Sequence, residues 1–293
     1  MTYYVPKWQS TLVLKCPMSN CSNCGRKMEK TPDLTCPWCG YPQVTRQFNW
    51  AVIIYLLAIT AAETVTVFFV PLWGIISHII ILVALILHSA LASEYPYQQL
   101  VLSLALVPLV RIMSLSMPLS NIPQIWWYPI IYAPLLVAAV VVIRLTGYKA
   151  EDVGLTVKLL PIQLAVMLTG VLFAVAEYYI LSPEPMITEF TWQEVWLPAL
   201  LLLVCTGFVE EFIFRGVLQR TAVDTFGGWG VVYVSFLFAI LHMGFLSWID
   251  VAFVFVVALF FGWVVKKTGS LLGVTLAHGI TNIGLYLVVP FLL

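Results

Sequence analysis

Charge is scarce along this chain: 14 Lys and Arg are matched by 14 Asp and Glu in 293 residues, leaving a formal net charge of zero. Without an excess of either sign there is no basic field of the kind that holds nucleic acid, and no nucleic-acid partner is expected. Long polar stretches are also missing after residue 46, where apolar runs follow one another with short interruptions. With 61% hydrophobic and 10% charged residues and a mean hydropathy of +0.98, the chain lies well outside the range of soluble globular domains. These deficits predict an all-α polytopic membrane protein, because a helix satisfies its own backbone polar groups inside lipid. Cysteine is nearly absent from the apolar part: five of the six lie in the first 46 residues, and the sixth, Cys205, reads as core.

The first 46 residues form a different kind of segment, with six of the fourteen Lys and Arg and no apolar run of membrane length. Met1 to Leu14 lacks a basic stretch followed by a continuous apolar one, so no cleavable signal peptide is expected and the N-terminus is expected to remain cytoplasmic. Cys21-Ser22-Asn23-Cys24-Gly25 and Cys36-Pro37-Trp38-Cys39-Gly40 repeat one Cys-x-x-Cys-Gly knuckle. Four thiolates at that spacing can close a tetrahedral zinc site, which supplies folding energy that so short a segment cannot draw from a core. A structural zinc held by Cys21, Cys24, Cys36 and Cys39 is therefore expected, in competition with a disulfide pair or a redox Cys-x-x-Cys. Cys16 lies just outside the knuckles as a spare thiol. The ribbon serves either to recruit a protein partner or simply as a stable cap.

From Phe48 onward the pattern predicts eight or nine transmembrane helices, placed near 50–70, 73–92, 98–117, 126–145, 159–181, 195–218, 229–246, 248–265 and 271–291. The count turns on whether the first pair, joined at Pro71, crosses twice or forms a re-entrant kink. Nine crossings place Arg144, Lys149, Lys158, Arg220, Lys266 and Lys267 on the ribbon's side and Glu184, Glu189 and Glu194 on the other, as the positive-inside rule asks. Trp126, Trp127, Tyr128, Trp192 and Trp196 fall at span ends, where amphipathic rings anchor in the headgroups. The expected organisation is a cytoplasmic zinc ribbon at 1–46, N-terminal helices at 47–153 and a functional helical core at 154–293, in the plasma membrane and in contact with its lipid.

Within that core, polar groups stand where lipid would reject them. Glu210, Glu211 and Arg215 interrupt one apolar run, His242 a second, and His278 with Asn282 a third. An acidic or basic side chain at a helix centre costs roughly 2.5 to 3.5 kcal/mol on insertion scales, so such residues mark a function or a partner. Glu211 and Arg215, four apart, share a helix face, while Glu210 is rotated about 100° from its neighbour. One carboxylate can pair with the arginine and the other remains a candidate base. His278 and Asn282, also four apart, offer two donors that can point at one developing oxyanion, and Phe238 lies one turn before His242. This is the logic of hydrolysis in an apolar place: a carboxylate deprotonates water, water attacks a carbonyl, and amide and imidazole donors hold the negative charge. Counting along straight helices leaves a mismatch, with His242 ~20 Å from the cytoplasmic end and Glu210 and His278 nearer ~12 Å.

Glu210-Glu211-Phe212-Ile213-Phe214-Arg215, Phe238-Ala239-Ile240-Leu241-His242 and His278-Gly279-Ile280-Thr281-Asn282 appear in that order in three of the expected spans, 195–218, 229–246 and 271–291. In these motifs the chain resembles the CPBP intramembrane proteases, which include type II CAAX prenyl endopeptidases and bacteriocin-processing or self-immunity proteins. The resemblance runs from about Gly154 to the end. It implies a glutamate-dependent membrane endopeptidase in which Glu210 activates water, Glu211 and His242 assist, and His278 with Asn282 forms the oxyanion site. Arg215 and Phe238 would support them. The implied substrate is a membrane-anchored protein or peptide, in some relatives a prenylated CAAX terminus.

Other readings stand beside this one. Two histidines and two glutamates also suit a catalytic zinc with an open position, although a neutral Asn is a poor zinc ligand. A non-catalytic scaffold of the same fold, including a bacteriocin self-immunity protein, and a transporter with a Glu and His proton relay are the alternatives to an enzyme. Glu63, His78, His88, Arg111 and Glu177 read as packing or interfacial groups, with Arg111 and Glu63 of opposite sign and able to pair.

Overall fold

A computed structural model describes residues 50–92, 97–117 and 119–293, and the four ribbon cysteines lie outside these residues. Among the described residues every regular element is helical. Eight helices among these residues are long and apolar enough to cross a bilayer, which with the composition makes this an integral membrane protein. The first two are α1, Trp50–Phe68, and α2, Pro71–Leu91, separate full-length helices with Pro71 at the first turn of α2, where a missing N–H costs nothing.

The third crossing is broken into α3, Gln98–Leu104, and α4, Leu106–Ser116. Pro108 explains the break: it cannot donate to Leu104 and its ring crowds that carbonyl. Then come α5, Trp127–Thr146, and α6, Leu160–Leu181. The sixth crossing is one continuous 35-residue helix, Trp192–Phe226, which begins as α7, Trp192–Leu201, and ends as α8, Gln219–Phe226. Its polar last turns were not expected to be helical. They hold because Arg220 Nε donates to Asp224 at 3.2 Å and the hydroxyls of Thr221 and Thr225 bond back to their own helix, until Gly227, at φ +64°, ends it.

The seventh apolar segment, Trp229–Phe245, is shorter than a usual span. It is α9, Trp229–Ile240, continued by a 3-10 turn, Leu241–Phe245. Twelve residues rising 1.5 Å and five rising 2.0 Å give about 28 Å, close to the hydrocarbon thickness. The last two crossings are α10, Trp248–Thr268, and α11, Leu272–Ile283, the latter extended by a wider π turn, Gly284–Val288.

Contacts identify two ends of this bundle. At one, Tyr233 Oη donates to the Val52 carbonyl, Gln99 Nε2 to Thr146, Tyr148 Oη to Asp224 and Thr156 Oγ1 to Gly269. At the other, Phe68 stacks on Trp248 at 5.8 Å, Tyr128 Oη points to the Met186 sulfur, and Met186 N donates to Tyr286. The first end carries Arg144, Lys149, Lys158, Arg220, Lys266 and Lys267 and is called the basic end below.

Small residues let the functional helices approach closely. A β-carbon on Gly207 would lie 2.9 Å from the Thr275 carbonyl oxygen, and one on Gly170 would lie 3.0 Å from the Ala277 Cα. Both α6 and the long sixth helix therefore pack backbone to backbone against α11, as helices do where lipid supplies no hydrophobic drive between them.

Candidate active site

Glu210 and Glu211 sit where the sixth helix leaves α geometry. Leu202–Glu210 and Phe212–Leu218 are wound as π turns, which hold more residues per turn than an α-helix. Successive side chains are then rotated by less than the 100° assumed from the sequence. Both adjacent glutamates line one cavity.

That cavity has a volume of about 260 Å³. At roughly 30 Å³ per liquid water it has room for several waters or for a water and part of a chain. Glu210, Glu211, Arg215, Phe238, His242, His278 and Asn282 all line it. The mismatch in depth between them is removed by two features. The sixth helix runs on to Phe226, so Glu210 lies farther from the basic end than a stop at residue 218 implied. Meanwhile α11 starts inside the bundle, with Leu271 only 2% exposed and its N–H bonded to the Gly154 carbonyl.

Glu211 is fully buried and accepts from two sides on the same oxygen, from Arg215 Nη1 at 3.0 Å and from His278 Nδ1 at 2.8 Å. The guanidinium of Arg215 lies over the Phe238 ring, 4.1 Å from its centre, so Phe238 seats a cation in an apolar place. Because Nδ1 of His278 is spent on Glu211, its Nε2 is the nitrogen turned toward Glu210, 3.9 Å from Oε2. The other Glu210 oxygen accepts a hydrogen bond from Tyr132 of α5. Glu210 thus has one oxygen held by a phenol and one open to the cavity.

Also on the cavity wall, His242 occupies the 3-10 turn after α9 and its Nδ1 bonds the Phe238 carbonyl at 2.9 Å. A carbonyl only accepts, so Nδ1 carries the proton and Nε2 of the neutral ring is left as an acceptor. Phe238 and Phe245 flank the ring at 4.9 and 5.9 Å. Asn282 Nδ2 donates to Thr206 Oγ1 at 2.8 Å.

Spacing on α11 puts His278 and Asn282 on one face, and within it the histidine reaches the two carboxylates while one N–H of the asparagine reaches Thr206. Helical spacing fixes which residues share a face, and the strongest partners within reach fix where they point.

Tyr132 and Thr206 went unread in the sequence, since neither residue type is unusual in an apolar span. Arg111 and Glu177, read as packing groups, also line the cavity. The pairing of Arg111 with Glu63 is present: Nε donates to Oε2 at 2.8 Å and a second N–H reaches Oε1, with His78 Nε2 3.3 Å from the same carboxylate. Cys205 is buried and free, and His88 meets the Tyr55 hydroxyl at 3.1 Å.

Among the described residues no three His, Cys, Asp or Glu side chains are grouped so as to hold a metal ion. Comparison with curated proteins and with solved structures gave no significant match. Residues 191–284, which contain all three motifs, match the model of a protease family, the type II CAAX prenyl endopeptidases described as Rce1-like, and this stretch of the chain is similar to those enzymes.

Proposed function

We propose that the protein is an intramembrane endopeptidase in which Glu210 activates the attacking water. The observation that carries this reading is the relay Arg215–Glu211–His278 beside Glu210 on the wall of a cavity inside the bundle. Arg215 and His278 offset the charge of Glu211, so of the two adjacent glutamates it is Glu210 that presents an open carboxylate oxygen. Water bound there loses a proton to Glu210 as it attacks the substrate carbonyl, with the acceptor Nε2 of His242 holding its second hydrogen. The carbonyl oxygen takes up the negative charge, and the second N–H of Asn282 and the Nε2–H of a protonated His278 are the donors that hold it. Glu210 then returns its proton to the leaving amine, and carboxylate and amine products separate.

The substrate is a membrane-associated polypeptide. The name of the matching family adds a prenylated CAAX terminus as a second reading, which the aromatic wall formed by Phe173, Phe253 and Phe261 favours. For the segment before the helices we propose a structural zinc on Cys21, Cys24, Cys36 and Cys39, where the metal would supply folding energy.

The test is a comparison of carboxy-terminal peptides in membranes of cells with the native protein and with Glu210→Gln. New termini present only with the native chain support the reading. Identical sets with equal amounts of folded protein oppose it, and favour a binding scaffold.

A further inference from the structure

The cavity is placed unevenly along the bundle. On α4 its wall begins at Val110 and reaches Ser114, two residues from the helix end; on α5 it uses Tyr128 and Tyr132, in the first two turns. On the seventh crossing it uses His242 and Phe245, at the far end from Trp229. All of these lie toward the end of the bundle opposite the basic one. Ser114 and Phe245 are also the exposed members among them, Phe245 at 49%. Toward the basic end the bundle closes over: Val217, Leu218, Val234, Leu237 and Val274 are at most 1% exposed, and Gln219 Nε2 ties the sixth helix to the Gly262 carbonyl of α10 at 2.9 Å.

Charge gives the two ends different addresses. The helix ends and connections at the basic end, together with the segment before α1, carry the chain's Lys and Arg, apart from Arg111 and Arg215 inside the bundle. Connections 69–70, 117–126, 182–191 and 246–247 contain neither residue, while 182–191 holds Glu184 and Glu189. Retention of Lys and Arg on the cytoplasmic side makes the cavity end the extracytoplasmic one.

We propose that the cavity admits its substrate from the extracytoplasmic face, so that the polypeptide it acts on is a segment displayed on that side of the membrane. The substrate half of this statement rests on the endopeptidase reading; the access half does not. A terminus on the basic side, where a prenylated CAAX terminus would lie, would have to pass the sealed layer of Leu218, Leu237 and Val274 to reach Glu210, so this proposal stands against that second substrate reading. A membrane-anchored chain that has been exported, or the outer loop of another membrane protein, meets the open end directly.

Ser114→Cys, an exposed site outside the catalytic cluster, is treated with a membrane-impermeant maleimide in intact cells or right-side-out vesicles, beside Glu184→Cys and Lys149→Cys and with the native chain as background. Labelling of Ser114→Cys and Glu184→Cys without permeabilisation, with Lys149→Cys protected until the membrane is opened, is the expected result. Labelling of Lys149→Cys alone in sealed membranes overturns the orientation. Labelling of Glu184→Cys with Ser114→Cys silent even after permeabilisation overturns the opening at this face. None of these readouts requires catalysis, so they stand apart from the Glu210→Gln comparison, in which the new termini are expected to map to extracytoplasmic segments.

Discussion

His278 and Glu211 meet at 2.8 Å through Nδ1 and Oε1, and that oxygen is the one Arg215 also holds. Two donors on a single carboxylate oxygen in a fully buried position fix the imidazole plane, and with it the nitrogen that faces Glu210. Removing the cation leaves a buried carboxylate with one partner fewer. Arg215→Met is expected to cost about 3 to 5 kcal/mol of stability, the usual penalty for breaking a buried pair from one side. The check is unfolding of the reconstituted protein, and any residual folded fraction is expected to lack activity because His278 loses its orientation.

Tyr132 donates to the oxygen of Glu210 that does not face His278. A hydrogen bond to a charged group contributes about 1.5 to 3 kcal/mol, so Tyr132→Phe is expected to lower kcat by roughly 10- to 100-fold. KM is expected to stay near the native value, since the phenol holds the carboxylate and not the substrate. A fall in substrate affinity with kcat preserved would remove Tyr132 from the machinery.

Much of this site was legible in the sequence, for one physical reason: Glu210, Glu211, Arg215, His242 and His278 are costly in lipid and stand out against apolar runs. Tyr132 and Thr206 do not, because Tyr and Thr are ordinary in a span and their role depends on a partner helix. The π winding around Glu210 was also hidden, since it depends on packing against α11 and α5 and leaves no periodic signature. The helical turns from Gln219 to Phe226 were missed because their polar side chains ended the hydropathy signal while hydrogen bonds carried the helix on.

The Glu63, Arg111 and His78 group joins α1, α4 and α2 at 0% exposure for the glutamate and the histidine. Glu63→Gln or Arg111→Met alone is expected to destabilise by about 3 to 5 kcal/mol. The double variant Glu63→Leu with Arg111→Met is expected to recover much of that loss, because replacing both charges leaves no uncompensated one. A double-mutant cycle by chemical or thermal unfolding in detergent measures the difference, and simple additivity would contradict the pairing.

Gly207 follows Thr206, the partner of Asn282, and packs on α11 where a β-carbon would lie 3.0 Å from the Gly279 Cα. Gly207→Ala is expected to push the sixth helix away from α11 at a cost of about 1 to 3 kcal/mol. Because the two helices carry Glu210 and His278, activity is expected to fall more than the folded fraction does. Parallel measurement of both quantities on one preparation decides this.

The central claim is that Glu210 performs hydrolysis in this cavity, and its most direct test uses purified protein. Native protein and Glu210→Gln, each reconstituted and added to membranes from cells that lack the protein, are followed by mass spectrometry of peptide ends over time. New carboxy termini that accumulate with the native protein and are absent with Glu210→Gln are the predicted result. Termini that accumulate equally with both, or with neither, would contradict it.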